Sequence, residues 1–530
     1  MASAAAPEVW NADRSAAGAM NPWLIVAIIS LPTFMEVLDT SVANVSLSNI
    51  AGGLSVSTDQ ATWVLTSYLV ANAVIIPISG WLSDAIGRKR YFLFSIALFT
   101  AASLLCGIAP NLTTLIIARI LQGIGGGGLA PVEQSILADT FPPRQRGMAF
   151  AAFAIVIVVG PVLGPTIGGW ITDAASWHWI FLVNVPVGVL AFVLVQTFVD
   201  EPEAVKQDRA AKLAGGLRID YVGVLLVFLG LGFLEFTLDR GEREDWFASG
   251  SIVATAIIAA VSLTALLIWE FNQKDPVVDV RLLQNRNFSV TLLTMFMTGM
   301  ILFGTTQLVP QMLQQVLGYS ALNAGLALTS AGVATLVMVP VVGRLTGLVD
   351  VRYLIFIGLL AQAYAMWHMT GLSADISFGD AATARLYQAA ALPFLFIPIN
   401  TAAYHGLPRN KTAQASSLLN VARNLGGSLG ISMSQTLLST YQQVHQARRV
   451  ETLHPGNPAY DEWLAQAGQL VPGDAMTPLA LLYQQMQRQV AMLAFLDVFR
   501  TLMVVILIVA PVVFLMKPAK GGAGAEGGGH

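Results

Sequence analysis

Gly80-Trp-Leu-Ser-Asp84-Ala-Ile-Gly87-Arg88-Lys89-Arg90 is a polar turn between two long apolar runs, near residues 60–83 and 90–109. Glycine permits close backbone approach and a positive φ at a turn. An aspartate beside the N-terminus of a facing helix is favoured by the helix dipole. Lys and Arg in short loops are retained on the cytoplasmic side of a membrane, so the basic triplet reads as the inner turn of a hairpin that crosses the bilayer twice. As a topology signal alone the triplet needs neither Asp84 nor the two glycines.

The rest of the chain repeats this pattern. Of 530 residues, 55% are hydrophobic and 11% charged, with a mean hydropathy of +0.66, against about 25% charged in ordinary soluble proteins. No single aqueous core can hide that much apolar surface, so lipid must be the solvent. Composition thus excludes a soluble enzyme, a disordered scaffold and a disulfide-stapled domain. A net charge of -3 and a pI near 6.1 argue against nucleic acid as a partner. The single cysteine, Cys106, lies in an apolar run and supports neither a disulfide framework nor a thiolate metal site.

A span needs about 20 apolar residues to cross about 30 Å of hydrocarbon. Fourteen runs qualify, near 23–48, 60–83, 90–109, 113–139, 147–171, 178–199, 219–238, 249–271, 288–312, 322–346, 353–371, 381–405, 412–439 and 491–516. The residues before Trp23 lack the basic start of a signal peptide, so no cleavage is expected. An even count puts both termini on one side. The loops and tails of that side hold 19 of the 28 basic residues, which makes the termini cytoplasmic. The expected fold class is an all-α integral membrane protein with 14 transmembrane helices arranged 6+2+6. Its parts are an N-terminal tail (1–21), a six-helix bundle (22–199), a linker with two inserted helices (200–287), a second six-helix bundle (288–516) and a tail (517–530). The second bundle contains an extracytoplasmic segment, 440–490, whose runs read as amphipathic helices too polar to span. Gly80-Trp-Leu82-Ser83 is echoed by Gly343-Arg-Leu345-Thr346, as after a duplication.

The Gly80–Arg90 turn resembles the signature that the major facilitator superfamily carries between its second and third helices. There it acts as an inner latch for the outward-facing state, which assigns Gly80, Asp84, Gly87 and Arg88 to gating. Arg119-Ile-Leu-Gln122-Gly123 resembles the family's second motif. The formal G-x-G-x-x-G from Gly123 to Gly128 sits inside an apolar helix with no preceding strand, so it reads as close helix packing and not as a dinucleotide site. Gly160-Pro161-Val-Leu-Gly164-Pro165-Thr-Ile-Gly168-Gly169 resembles the antiporter motif of proton-coupled drug exporters. It adds Gly160, Pro161, Gly164 and Pro165 to the gating set, as a bare face on which a helix of the other half can seal, with a generic packing face as the alternative.

Three further stretches resemble the 14-span drug:proton antiporters of the EmrB/QacA group, over about residues 22–516. They are Leu38-Asp39-Thr40-Ser41-Val42-Ala43-Asn44-Val45, the run from Trp177-His178-Trp179 to Asn184-Val-Pro186-Val-Gly188, and Arg423-Asn424-Leu-Gly426-Gly427-Ser-Leu-Gly430. His178 stands where Arg is usual. The form Met35-Glu36-Val37-Leu38-Asp39 and the late extracytoplasmic segment tilt the resemblance toward EmrB-type multidrug exporters.

Arg119, Arg385, Arg423 and Arg500 fall within or at the edges of spans, where a charge costs about 2.5–3.5 kcal/mol and takes a partner or faces a wet cavity. Counting from the span ends at about 1.5 Å per residue, Asp39 and Arg119 both lie about 9–14 Å below the outer surface and can meet. Glu36 is one turn deeper on nearly the same face. Burial and a nearby Arg act oppositely on a carboxylate, so one that alternates between such environments can take and release a proton. Asp39, Glu36 and Arg119 form the candidate coupling set, with a permanent ion pair fixing helix register as the other reading. The family's cavity helices favour Met35, Glu36, Gln307, Asn400 and Phe394 as substrate-binding candidates, each with a packing role as the alternative.

The resemblance implies proton-driven export of amphipathic drugs or other toxic compounds across the bacterial inner membrane by alternating access. Protons are the coupling ion and no cofactor is expected. It also implies a periplasmic adaptor of EmrA type and an outer-membrane channel, whereas a QacA-type pump works alone. An exporter of an endogenous siderophore, fatty acid or lipid-like metabolite, or a non-transporting sensor, are the alternatives. The six histidines are too scattered for a catalytic or metal set, which speaks against an enzyme.

Overall fold

The computed structural model describes residues 21–201, 206, 210, 220–319, 321–451, 453–470 and 476–518. Most of the two expected tails and of the segment 202–219 lies outside the described residues. A helix occupies each expected run: α1 (Pro22–Val45), α2 (Thr58–Ile86), α3 (Arg88–Gly107), α4 (Leu112–Thr140), α5 (Pro143–Ala174), α6 (Trp179–Phe198), α7 (Tyr221–Arg240), α8 (Gly250–Asn272), α9 (Arg286–Gln315), α10 (Ala321–Leu345), α11 (Val351–Met369), α12 (Phe378–Ala403), α13 (Thr412–Val450) and α14 (Met476–Leu515).

Among the described residues, ten of these helices are long and apolar enough to cross a membrane, and α5 makes an eleventh when its two segments, bent by 48°, count as one. The bend falls at Pro161–Pro165, where proline removes helix hydrogen bonds. The polar content of α13 has a physical reason: Gln414, Ser416, Ser417 and Asn420 are buried against protein instead of lipid.

Local chemistry places the helix ends. Asn21, Asn111, Asp220, Asn285 and Asp350 each accept a backbone N–H at the start of a helix, satisfying donors that a bilayer leaves orphaned. Gly87 joins α2 to α3 with φ 103°, the positive value that the turn requires. Both described chain ends lie on the face that carries the basic loops. The Trp23 ring lies tilted against Phe141 at the end of α4 (5.1 Å), and the Lys517 N–H donates to Asn287 at the start of α9 (2.7 Å).

Helices α1–α6 are termed the first bundle, α9–α14 the second, and α7 and α8 the hairpin that lies between them in the chain. In the second bundle α9 and α13 approach until their backbones touch, because Cβ atoms at Gly299, Gly426 and Gly430 would run into the carbonyls of Arg423, Phe296 and Met300. The inserted helices α7 and α8 pack on each other, and α7 also lies against α2 and α13. The segment 440–490 differs from expectation. Its first amphipathic run is the end of α13, a continuous 39-residue helix, about 58 Å long and so well beyond about 30 Å of hydrocarbon. Its second is the start of α14, and a further helix, Pro458–Leu470, lies between them. Trp463 ties that helix to α14 by donating to Gln485 (3.1 Å).

Gly426→Val should lower the thermal unfolding midpoint of the purified protein, because overpacking costs about 1–3 kcal/mol. Gly169→Val, where nothing lies within 4 Å of the added atom, should leave it within error. Equal midpoints would mean that the α9–α13 seam is not close-packed.

Candidate functional site

Residues of three sequence motifs converge inside the first bundle. Asp39 of α1 is 2% exposed and Arg119 of α4 is 1% exposed. Arg119 Nη1 donates to Asp39 Oδ2 at 2.6 Å. Gln122 Nε2 and Asn184 Nδ2 both donate to Asp39 Oδ1, at 2.9 and 2.7 Å. Arg119 Nε donates to the Val64 carbonyl (3.0 Å), and Gln122 reaches Ser103 of α3 (2.8 Å). The charge pair is therefore enclosed by α1, α2, α3, α4 and α6, and its hydrogen-bonding needs are met by neutral amides and a backbone carbonyl. Such charge-assisted bonds are about twice as strong as neutral ones.

Tyr68 forms the wall between this cage and the seam of the two bundles. Its ring lies 4.3 Å from the Arg119 guanidinium, and its hydroxyl donates to Glu36 on the far side (3.3 Å). Asn72 also donates to Glu36 (3.2 Å) and accepts from Asn424 of α13 (3.3 Å). The neighbouring Arg423 acts electrostatically on Glu36 and on Glu133, which accepts from Ser30 at 2.5 Å. A polar route thus runs from Asp39 through Arg119, Tyr68, Glu36 and Asn72 to the second bundle. Tyr68 and Asn72 escape a reading of the sequence, since each is one polar group in an otherwise apolar span.

The remaining candidates are scattered. Met35 is buried in the core. Gln307 accepts from Asn44, two turns beyond Glu36 on α1 (3.1 Å). Asn400 donates back to the Phe396 carbonyl of its own helix (2.7 Å). Phe394 packs against Gly358 of α11. No described hydrogen bond joins Gln307 or Asn400 to Glu36.

The basic face is sealed by two helix pairs. Between α2 and α13, Gly80 lies against the Ala413 carbonyl, and Ser417 donates to the carbonyls of Ile76 (2.6 Å) and Pro77 (2.9 Å). Arg88 pairs with Asp139 and donates from Nη2 to Thr412 (2.8 Å). Arg88 thus supplies one contact with Thr412, and Asp84 sits half-buried one turn earlier. Between α5 and α10, Gly147 and Gly343 face each other. The antiporter glycines behave differently from the inter-half seal expected of them. Gly160, Gly164 and Gly168 lie against Val37, Ser41 and Val42 of α1 in their own bundle, and the buried Pro161 accepts from Ser41 (3.2 Å). They bind α5 to the helix that carries Asp39. The side chain of Pro165 lies outside the described residues.

Two helical bundles closed against each other on one face, with a charge pair buried in one of them, define a membrane transporter. Residues 29–431 match the model of the Major Facilitator Superfamily. Over 470 residues the chain is 41% identical to the multidrug export protein EmrB of Haemophilus influenzae, covering 88% of this chain and 90% of that protein. It is 36% identical to the fatty acid resistance protein FarB of Neisseria gonorrhoeae, covering 97% and 99%. The solved structure of the proton:xylose symporter XylE shares the fold, with a TM-score of 0.60 at 15% identity over 94% of this chain and 97% of that one. The chain belongs to the major facilitator superfamily.

Asp84→Ala or Arg88→Ala should loosen the α2–α13 seal. In a background lacking Cys106, cysteines placed along that seam should become more reactive to a membrane-impermeant reagent applied from the basic face and less so from the other. An unchanged pattern would refute the latch.

Proposed function

We propose that this protein is a secondary active, proton-driven exporter of amphipathic drugs and other toxic organic compounds, working by alternating access. The observation that carries this reading is the enclosed Asp39–Arg119 pair with its outlet through Tyr68 to Glu36 at the bundle seam. A proton on Asp39 neutralises the carboxylate that answers the buried Arg119, and Glu36, one turn away behind the Tyr68 ring, is the nearest second carboxylate to which that charge can turn. Proton state at Asp39 is thereby linked to the groups that hold α2 against α13. One proton entering across 100 mV supplies about 2.3 kcal/mol, so one or two sustain a useful gradient. No other cofactor enters this scheme.

The same reading takes the 14 helices as spans in a 6+2+6 order in the bacterial inner membrane, with the basic face and both termini cytoplasmic. The names of the EmrB and FarB relatives support drug-like amphiphiles as substrates, and FarB favours fatty acids as a second substrate reading. Met35, Glu36, Gln307, Phe394 and Asn400 are the proposed substrate contacts. The outer ends of α13 and α14 with helix Pro458–Leu470 are the proposed docking site for a periplasmic adaptor of EmrA type leading to an outer-membrane channel.

In proteoliposomes with an imposed pH gradient and equal amounts of folded protein, Asp39→Asn should abolish uphill export of ethidium or laurate because Asn cannot titrate, and it should lower the thermal midpoint because Arg119 loses its counter-charge. Wild-type export by this variant would sink the coupling role.

Replacing 445–480 by a Gly/Ser turn should remove drug resistance in whole cells and preserve transport in proteoliposomes, where no adaptor is needed. Loss of both activities would make the segment structural, and loss of neither would make it dispensable.

A further inference from the structure

The second bundle carries a partial copy of the Asp39 cage. Arg385 and Gln388 stand seven and ten residues after the first residue of α12, Phe378, as Arg119 and Gln122 stand after Leu112 in α4. Each helix is the fourth of its bundle. In the first bundle Gln122 donates to Asp39 of α1. In the second, Gln388 donates to Thr305 of α9, the first helix of that bundle. Threonine therefore stands where the carboxylate stands in the other half.

The consequence is a guanidinium without a counter-charge. Arg385 is 2% exposed. Its donors go to neutral acceptors, Nη1 to Gln388 and Nη2 to Thr306 (3.2 Å), and Nε has no hydrogen-bond partner among the described residues. Arg385 takes part in no described ion pair. An isolated charge in hydrocarbon costs several kcal/mol until something answers it. Arginine presents a planar fork matched to a carboxylate's two oxygens. The Thr306 hydroxyl can donate to the same anion, and that of Thr305 can do so by turning from the Ile301 carbonyl to which it now donates (2.5 Å).

We propose that Arg385, Gln388, Thr305 and Thr306 form an anion site whose ligand supplies the negative charge that Asp39 supplies in the first bundle. The ligand is the carboxylate of an amphipathic acid, whose chain extends along the apolar bundle interior, or a small inorganic anion such as chloride. As a statement about substrate chemistry this rests on the export reading. As a statement about binding it does not, so the test is equilibrium binding and not transport.

The full-length protein in detergent is titrated with laurate, with methyl laurate as its neutral counterpart, and with sodium chloride, reading the thermal midpoint and a binding isotherm. Laurate should bind and methyl laurate should not compete with it. Arg385→Gln should weaken laurate binding about ten- to a hundredfold, the worth of a lost charge-assisted hydrogen bond. Thr305→Asp restores the missing carboxylate from within, so it should raise the midpoint of the ligand-free protein and exclude laurate. This second variant decides the matter even if Arg385→Gln does not fold. Stabilisation by chloride that disappears in Thr305→Asp would support the site with the inorganic ion as its occupant. Laurate and chloride responses that are unaltered in Thr305→Asp would overturn the site, as would the absence of both responses in the wild type. Export driven by pH could fail in the same preparation without touching this result.

Discussion

A charge held in hydrocarbon has to be answered by another, and the Asp39–Arg119 pair is where this fold meets that constraint most completely. Both groups are enclosed, and removing one partner of a buried pair costs about 3–5 kcal/mol, a large share of the about 5–15 kcal/mol that holds a typical domain folded. The pair and the groups bonded to it span α1, α2, α4 and α6, and α3 joins them through Ser103 and Gln122. None of those helices can shift alone without stranding a charge or an amide, so the first bundle is bound to move as one body. The glycines of α5 extend this body, because their close contact with α1 anchors the kinked helix to the one bearing Asp39.

The sequence announces this architecture clearly where lipid imposes it. Runs long enough to span, basic loops and the Gly80–Arg90 turn mark the helices, and depth counting brings Asp39 to Arg119 because helical rise is fixed. Partners chosen by packing are less legible. Asp139, which pairs with Arg88, is 51 residues away in the chain, at the end of a helix with nothing local to mark it. Tyr68 and Asn72 face Glu36 only because α2 is rotated to present them. The antiporter glycines show the same limit: a bare helix face is readable from four-residue spacing, but which helix fills it is decided by the crossing of α1 and α5. The continuity of α13 past the membrane is hidden for another reason, since polarity changes along it while helical propensity does not.

The internal duplication is more visible in contacts than in residues. Gly80 and Gly343, the two echoed glycines, are both points where one bundle touches the other, Gly80 meeting α13 and Gly343 meeting α5. Each contact pairs the second helix of one bundle with the fifth of its opposite number, so the two are related by exchange of the halves. Close approach across the seam leaves little room for a side chain, which is a physical reason for glycine at both places. The charged cage is less symmetric. The Arg-x-x-Gln pattern is present in both fourth helices, yet only the first bundle holds the acid that completes it. One half is electrostatically closed and the other is not.

The inserted hairpin breaks the symmetry in a second way, and its position constrains the motion. On one flank α7 is tied to the first bundle by Thr66 donating to Asp239 and by Arg240 donating to Thr62 (3.0 Å). It is tied to the second bundle by Ser428 donating to Glu235, and the turn that follows it by Trp246 donating to Thr436 (3.0 Å). The inter-bundle contact of α5 with α10 has no comparable packing against this hairpin. A rocking motion that parts α2 from α13 toward the outer face must therefore break one set of these bonds or carry the hairpin with a single bundle. Each bond contributes about 0.5–1.5 kcal/mol, small enough to be exchanged during a cycle, and the buried Glu235 and the half-buried Asp239 are stabilised only while their hydroxyl partners stay in reach. An opening of the two bundles on the face opposite the basic loops would thus meet more resistance on the flank that bears the hairpin than on the flank without it.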